Sequence, residues 1–181
     1  MTFIKFFLCA LVVSVGWAND CDVPIGVRNY AKYSAVTQSS TYNAQGFKAG
    51  PELAVDGNDD NQFMKRSCSH TNNDHEPWLN INMKEKIPVG AVVITNRQDC
   101  CRDRLRGAQV LVGDSPYKNN TVCGVITDIS KPIITMCCNG MLGEHVTIRI
   151  RDRKEYLHVC EVQIFKHNEA PDVKADEVAE Q

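Results

Sequence analysis

Apolar and polar residues alternate with period two in several short stretches of this chain, including Leu79-Asn80-Ile81-Asn82, Val146-Thr147-Ile148-Arg149-Ile150 and Val162-Gln163-Ile164-Phe165. Such alternation sets one side of a strand against a core and the other in water. Further β-like runs are Val89 to Thr95, Ala108 to Val112, Val122 to Ile126, Ile133 to Met136 and Val159 to Phe165, with turn residues between them. No helical periodicity is sustained over three turns, and no internal repeat stands out. The pattern predicts an all-β protein, an antiparallel β-sandwich.

The N-terminus changes the picture of where such a sandwich belongs. Met1 and Lys5 form a short basic start, Phe6 to Val15 is apolar, and Gly16-Trp17-Ala18 ends in a small residue. This reads as a secretory signal over residues 1–18, whose apolar run is too short to span a bilayer. It predicts a secreted, extracellular protein. Of the 9 cysteines, Cys9 lies in that leader, and the remainder form an even set suited to an oxidising compartment. Zinc is disfavoured because the cysteines come as doublets rather than at ligand spacing. Their number allows 105 pairings, so spacing alone selects none.

The formal charge of −2 gives no global signal for nucleic acid or membrane insertion. Asn119-Asn120-Thr121 is a sequon suited to a glycosylated surface loop. Residues 168–181, acidic and with little to bury, read as a disordered tail. One domain, 19–167, remains between leader and tail.

The chemistry concentrates in Arg97-Gln98-Asp99-Cys100-Cys101-Arg102-Asp103-Arg104, directly after the apolar run Val92-Val93-Ile94. Adjacent α-carbons lie about 3.8 Å apart, below the roughly 4.4–6.8 Å usual for a disulfide. Composition alone therefore favours a distant partner for each sulfur. With His70 27 positions before Arg97, the constellation is His, a long gap, then Arg-x-Asp-Cys-Cys-x-x-Arg. It resembles the F-type lectins, the fucose-binding family that includes eel agglutinin, and the likeness runs from about Val27 to Phe165. Ala31 with Ala35 to Ser40 resembles that family's opening strand, Ala54-Val55-Asp56-Gly57-Asn58 its calcium loop, Pro77-Trp78 its tryptophan turn and Cys160-Glu161-Val162 its last strand.

The resemblance implies a jelly-roll, discoidin-like or galactose-binding-domain-like sandwich. It implies that His70, Arg97 and Arg104 supply fixed donors to the axial hydroxyl of fucose, its neighbour and the ring oxygen. Cys100 and Cys101 are then bonded to each other as an apolar plate against the sugar, and Phe63 and Met64 fall where the family places aromatics under the sugar's methyl group. Asp99 is expected to orient the arginines. Gln98 replaces the family's usual glycine, which removes any Arg-Gly-Asp adhesion motif and raises the question of a positive φ there.

Asp56 to Asn61 fails as an EF-hand, since Asn61 stands where glycine is needed and Ser67 where glutamate is needed. The resemblance instead implies a structural Ca2+ held by side-chain oxygens of Asp56 and Glu161 and by oxygens of Leu53, Asn58, Ser67 and Cys160, several of them carbonyls. Family pairing implies Cys68 with Cys160 and Cys123 with Cys137. That leaves Cys21 for Cys138, with Cys138 in place of Cys137 as the alternative. His75, His145, His158 and His167 fall outside the motif and read as surface or hydrogen-bonded structural residues.

Three function classes compete. A lectin for fucosylated glycans on cell surfaces or microbes, in innate recognition or agglutination and as a homo-oligomer, follows from the resemblance. A discoidin-like adhesion module binding protein or lipid through its loops is the alternative. An enzyme is disfavoured, because sulfurs bonded to each other form no thiolate for a Cys-His pair.

Overall fold

In the computed structural model, residues 21, 23, 26–44, 46–116 and 120–168 are described. The leader, Asn119 of the sequon and the tail beyond Asn168 lie outside them. The runs Leu79–Asn82 and Val89–Thr95 are the two ends of one strand, β6 (Trp78–Thr95), and the runs at 133–136 and 146–149 belong likewise to β9 (Ile133–Arg149). β6 and β9 pair antiparallel from Trp78 opposite Arg149 to Thr95 opposite Ile133. Register shifts between Asn82 and Ile87 and between Val89 and Ala91 break that ladder. Such bulges bend a strand and increase its twist.

Other strands flank the two halves. Along the first half of β6 lies β1 (Ala35–Gln38), and along the matching half of β9 lie β7 (Gln109–Gly113) and then β8 (Thr121–Val125). The second half of β6 pairs with β12 (Glu161–Lys166). Inward residues of both halves, such as Leu79, Ile81, Val92, Ile148 and Ile164, meet in one apolar cluster. Each such burial contributes about 1.5–3 kcal/mol. This is the antiparallel sandwich that the alternation predicts. On the opposite face of β6 from Leu79 and Ile81, buried Asn80 donates to Thr147 Oγ1 at 2.8 Å and lies 3.0 Å from His145 Nδ1.

Short elements complete the chain: β2 (Asn43–Ala44), β3 (Phe47–Lys48), β4 (Ser69–His70), β5 (Asp74–His75), β10 (Lys154–Glu155) and β11 (His158–Val159). β2 pairs β3, β4 pairs β11 and β5 pairs β10. Two-residue strands leave no readable alternation, so only the family resemblance pointed to this region. The helical content among the described residues is three 3-10 turns, Pro51–Ala54, Phe63–Lys65 and Arg102–Leu105. No helix among those residues is long and apolar enough to cross a membrane.

Cys68 bonds Cys160 as the family implies. The other long-range pairs are Cys123 with Cys138 and Cys21 with Cys137. This is the alternative with Cys138 in place of Cys137, and it corrects the Cys123–Cys137 and Cys21–Cys138 assignment. The reason is the pleat of β9, which points neighbours to opposite faces. Cys138 is buried in the core, where Cys123 packs, so Cys137 is left on the other face for Cys21. We expect Cys138→Ser to free the Cys123 thiol, and Cys137→Ser to free Cys21, read by alkylation and mass spectrometry of unreduced protein. For a loop with a sequence separation of 15, the lost cross-link costs about 3 kcal/mol, measurable by urea unfolding. Release of Cys21 in Cys138→Ser would restore the family-type pairing.

Candidate functional site

β6 ends at Thr95, and Asn96 keeps the departing chain in place by donating its Nδ2 to Arg102 O at 3.1 Å. Arg97 then turns into a cleft of about 680 Å³ that His70, Arg104, Cys100 and Cys101 also line. Its guanidinium grips Asp99 through two bonds, Nε to Oδ1 at 2.7 Å and Nη2 to Oδ2 at 3.0 Å. The Phe63 N–H donates to the same Oδ1 at 3.3 Å, and the Phe63 ring lies 4.5 Å beneath Arg97 Cζ. Burial pushes the Asp99 carboxyl upward, but the Arg97 and Phe63 hydrogen bonds outweigh it and hold the group below its ordinary range. Arg97 is thereby aimed, with its other N–H groups left for a ligand.

Asp99 was expected to orient both arginines, yet the second has its own carboxylate. Arg104, on the 102–105 turn, has Nε 3.5 Å from Glu155 Oε1 and Cζ 4.6 Å over the Tyr156 ring. Arg153 donates to the backbone oxygens of Arg104 and Arg106, both at 2.7 Å, and so fixes the turn itself.

His70 is the third member, and its chemistry differs from the expectation of a donor. Its Nδ1 lies 2.7 Å from Thr71 O. A carbonyl only accepts, so Nδ1 carries the proton and Nε2 has a free lone pair. Burial pushes the imidazole down to about 4 from its ordinary 6.5, against the pull of Thr71 O, and Arg97 and Arg104 add repulsion. The cleft therefore offers two charged, forked donors and one neutral acceptor, the complement of a hydroxyl flanked by other oxygens.

Cys100 and Cys101 are bonded to each other, with α-carbons 3.8 Å apart. Cys101 takes φ 59°, in the left-handed region, and its carbonyl accepts from Arg104 N at 3.1 Å. Gln98 is not among the positive-φ residues. Glycine is not needed at 98 because the turn is made at Cys101. Phe63 is buried against Tyr42, Phe47 and His70, whereas Met64 is 81% exposed at the cleft rim.

Sequence reasoning missed Tyr42, Phe47, Glu155, Tyr156 and His158. Tyr42 stacks 4.8 Å from His70, with Tyr156 edge-on at 5.5 Å. His158, opposite His70 on β11, is buried with neither ring nitrogen hydrogen-bonded among the described residues, which corrects its reading as a surface or satisfied histidine.

Residues 53–148 match the family model described as NedA-like, galactose-binding domain. Fucolectin-1 of Anguilla japonica is 33% identical over 161 residues, 84% of this chain and 90% of the relative. That decides the family. This chain is an F-type lectin. A pentraxin fusion protein of Xenopus laevis is 38% identical over 144 residues, 77% of the chain but 34% of the relative. The crystal structure of the F-lectin from striped bass serum (Morone saxatilis) matches at 36% identity and TM-score 0.71, over 77% of this chain and 47% of that one. The chain thus spans about a third of the pentraxin fusion protein and about half of the bass lectin chain.

The F-type lectin's acidic loop lies apart from the cleft. Asp56 and Asn58 cap consecutive turns, accepting from Asn58 N at 2.8 Å and Asp60 N at 3.2 Å. Glu161 is buried at the start of β12, where Oε2 accepts from Gly57 N at 3.3 Å and Oε1 has no hydrogen-bond partner among the described residues. Burial, and then Asp56 and Asp59, push its carboxyl up to about 7. An orphaned buried carboxylate oxygen facing further carboxylates fits a cation. No three His, Cys, Asp or Glu groups among the described residues converge as a metal cluster, so carbonyl and hydroxyl oxygens must complete such a site.

The His70 tautomer has a pH signature. Its folded pKa lies below its unfolded value, so the neutral ring's contribution to stability is present above about pH 6.5 and is lost as pH falls toward 4. We expect an NMR ring titration of His70 with a midpoint near 4, and a shallower loss of urea stability across that window in His70→Gln. A midpoint near 6.5 would mean that Nε2 is substantially protonated well into the neutral range.

Proposed function

We propose that this F-type lectin binds terminal L-fucose on glycans as a secreted, calcium-containing protein. The observation that carries the reading is the convergence of His70, Arg97 and Arg104 over the Cys100–Cys101 disulfide in one cleft. The axial hydroxyl of fucose donates to His70 Nε2 and accepts from a guanidinium. The remaining N–H groups of Arg97 and Arg104 take the neighbouring hydroxyl and the ring oxygen. The disulfide lies against an apolar edge of the sugar, and Phe63 and Met64 face its methyl group. The names of the fucolectin relatives support the choice of sugar. We read the role as binding, in line with the fucolectin relatives, and the disulfide leaves neither cleft sulfur as a thiolate nucleophile.

Agglutination, or capture of fucosylated microbial and cell-surface glycans in innate recognition, requires several such sites per particle. We therefore propose a homo-oligomer. Calcium is assigned a structural part. Asp56 and Glu161, with oxygens of Leu53, Asn58, Ser67 and Cys160, would hold it, and its positive charge would tie the 51–67 segment to β12.

Retention on fucose-agarose, with elution by free fucose but not by glucose, tests the central reading. Arg104→Ala is expected to lower fucose affinity at least tenfold, because charge-assisted hydrogen bonds contribute about 1.5–3 kcal/mol each, while circular dichroism stays native. Unchanged affinity would remove Arg104 from the site. Chelation is expected to lower Tm by several degrees in the native protein and not in Asp56→Ala. No shift in either would leave the acidic loop as a polar turn.

A further inference from the structure

The cleft is larger than one monosaccharide requires. At about 680 Å³ it falls within the roughly 300–1,000 Å³ of sites that take drug-sized ligands. His70, Arg97 and Arg104 occupy one part. The remainder runs past Phe47 to Arg66, which lines the same cleft. Arg66 has a local geometry of its own. It closes the 63–65 turn with φ 62°, its N–H bonded to Phe63 O at 2.9 Å, and its Cζ stands 5.3 Å over the Phe47 ring. Phe47 in turn lies 6.0 Å from Phe63, the ring beneath Arg97. The two guanidiniums are thus separated by two touching aromatic rings.

Charge distinguishes Arg66 from the other cleft cations. Arg97 has Asp99 and Arg104 has Glu155, and the neighbouring Lys65 is bound to Asp60 at 2.8 Å. Among the described residues Arg66 has no carboxylate partner. One positive charge in the cleft is therefore uncompensated, on a planar fork already braced against a ring. Fucose is uncharged and leaves that fork unused.

We infer that Arg66 forms an anion subsite beside the fucose site, selecting fucosylated glycans that carry a carboxylate or a sulfate ester on the adjoining sugar. The inference rests on the fucose reading. Because Arg66 is exposed, the gain is modest and salt-sensitive, on the order of three- to fivefold in affinity.

The test is calorimetry with free fucose, a neutral fucosylated trisaccharide, and that trisaccharide carrying either a sialic acid or a sulfate ester on its galactose. The native protein is expected to bind at least one anionic form about three- to fivefold more tightly than the neutral one at about 50 mM salt, and to lose most of that preference at about 300 mM. Preference for only one form identifies the carboxylate or the sulfate as the source. Arg66→Gln should abolish the preference and leave free-fucose affinity within about twofold, and Arg66→Lys should retain part of it. Equal affinity for neutral and anionic forms in the native protein overturns the inference, as does a preference that persists in Arg66→Gln. If Arg66→Gln misfolds, Arg66→Lys decides the matter: an undiminished preference in it overturns the inference, since salt alone would weaken a contact to Arg97 or Arg104 as well. Failure of the native protein to bind free fucose refutes the fucose reading instead.

Discussion

The ladder between β6 and β9, from Trp78 opposite Arg149 to Thr95 opposite Ile133, is the constraint on which the other elements depend. Each flanking strand of the main sheet except β8 pairs directly with one of these two, and β8 reaches them through β7. Two register breaks let the pair serve both halves of the core without interrupting the chain. Since the pleat fixes the face of every residue, one slip in this ladder would turn Leu79, Ile81, Val92 and Ile94 outward together. The same register places Thr95 at the strand end, and so sets where Arg97 enters the cleft.

The cleft then works by separating charges into small compensated units. Each of its two central guanidiniums carries its own carboxylate and its own aromatic floor, Asp99 and Phe63 for one, Glu155 and Tyr156 for the other. Pairing of this kind lowers the cost of withdrawing a cation from water and fixes its fork. His70, held neutral beside them, keeps a lone pair at Nε2 where they carry only N–H groups. A binding surface of mixed polarity is thus built in a protein whose formal charge is only −2.

Long strands were legible because alternation over five or more residues leaves little ambiguity, as at Val146–Ile150. What it could not show was continuity: exposed residues 84–86 and the turn at Asn139-Gly140 read as strand breaks, whereas they are the bends of β6 and β9. Motif residues were legible for another reason, since Arg97, Asp99, Cys100, Cys101 and Arg104 lie within one short segment. The supporting cast was not. Tyr42, Phe47, Glu155 and Tyr156 come from two-residue strands and their borders, where side-chain direction is set by tertiary pairing rather than by any local period. The family pairing pointed Cys123 to Cys137, but adjacent residues on a strand differ in face, and it is Cys138 that faces Cys123.

That doublet has a covalent consequence. Cys137 links back to Cys21, and Cys68 links forward to Cys160, so the two closed loops overlap along the chain. Every peptide bond from Cys21 to Cys160 lies inside at least one of them. A protease that cuts any single bond in this span therefore releases nothing: the severed ends stay bridged by sulfur, and the nicked protein remains one molecule until a second cut or a reductant arrives.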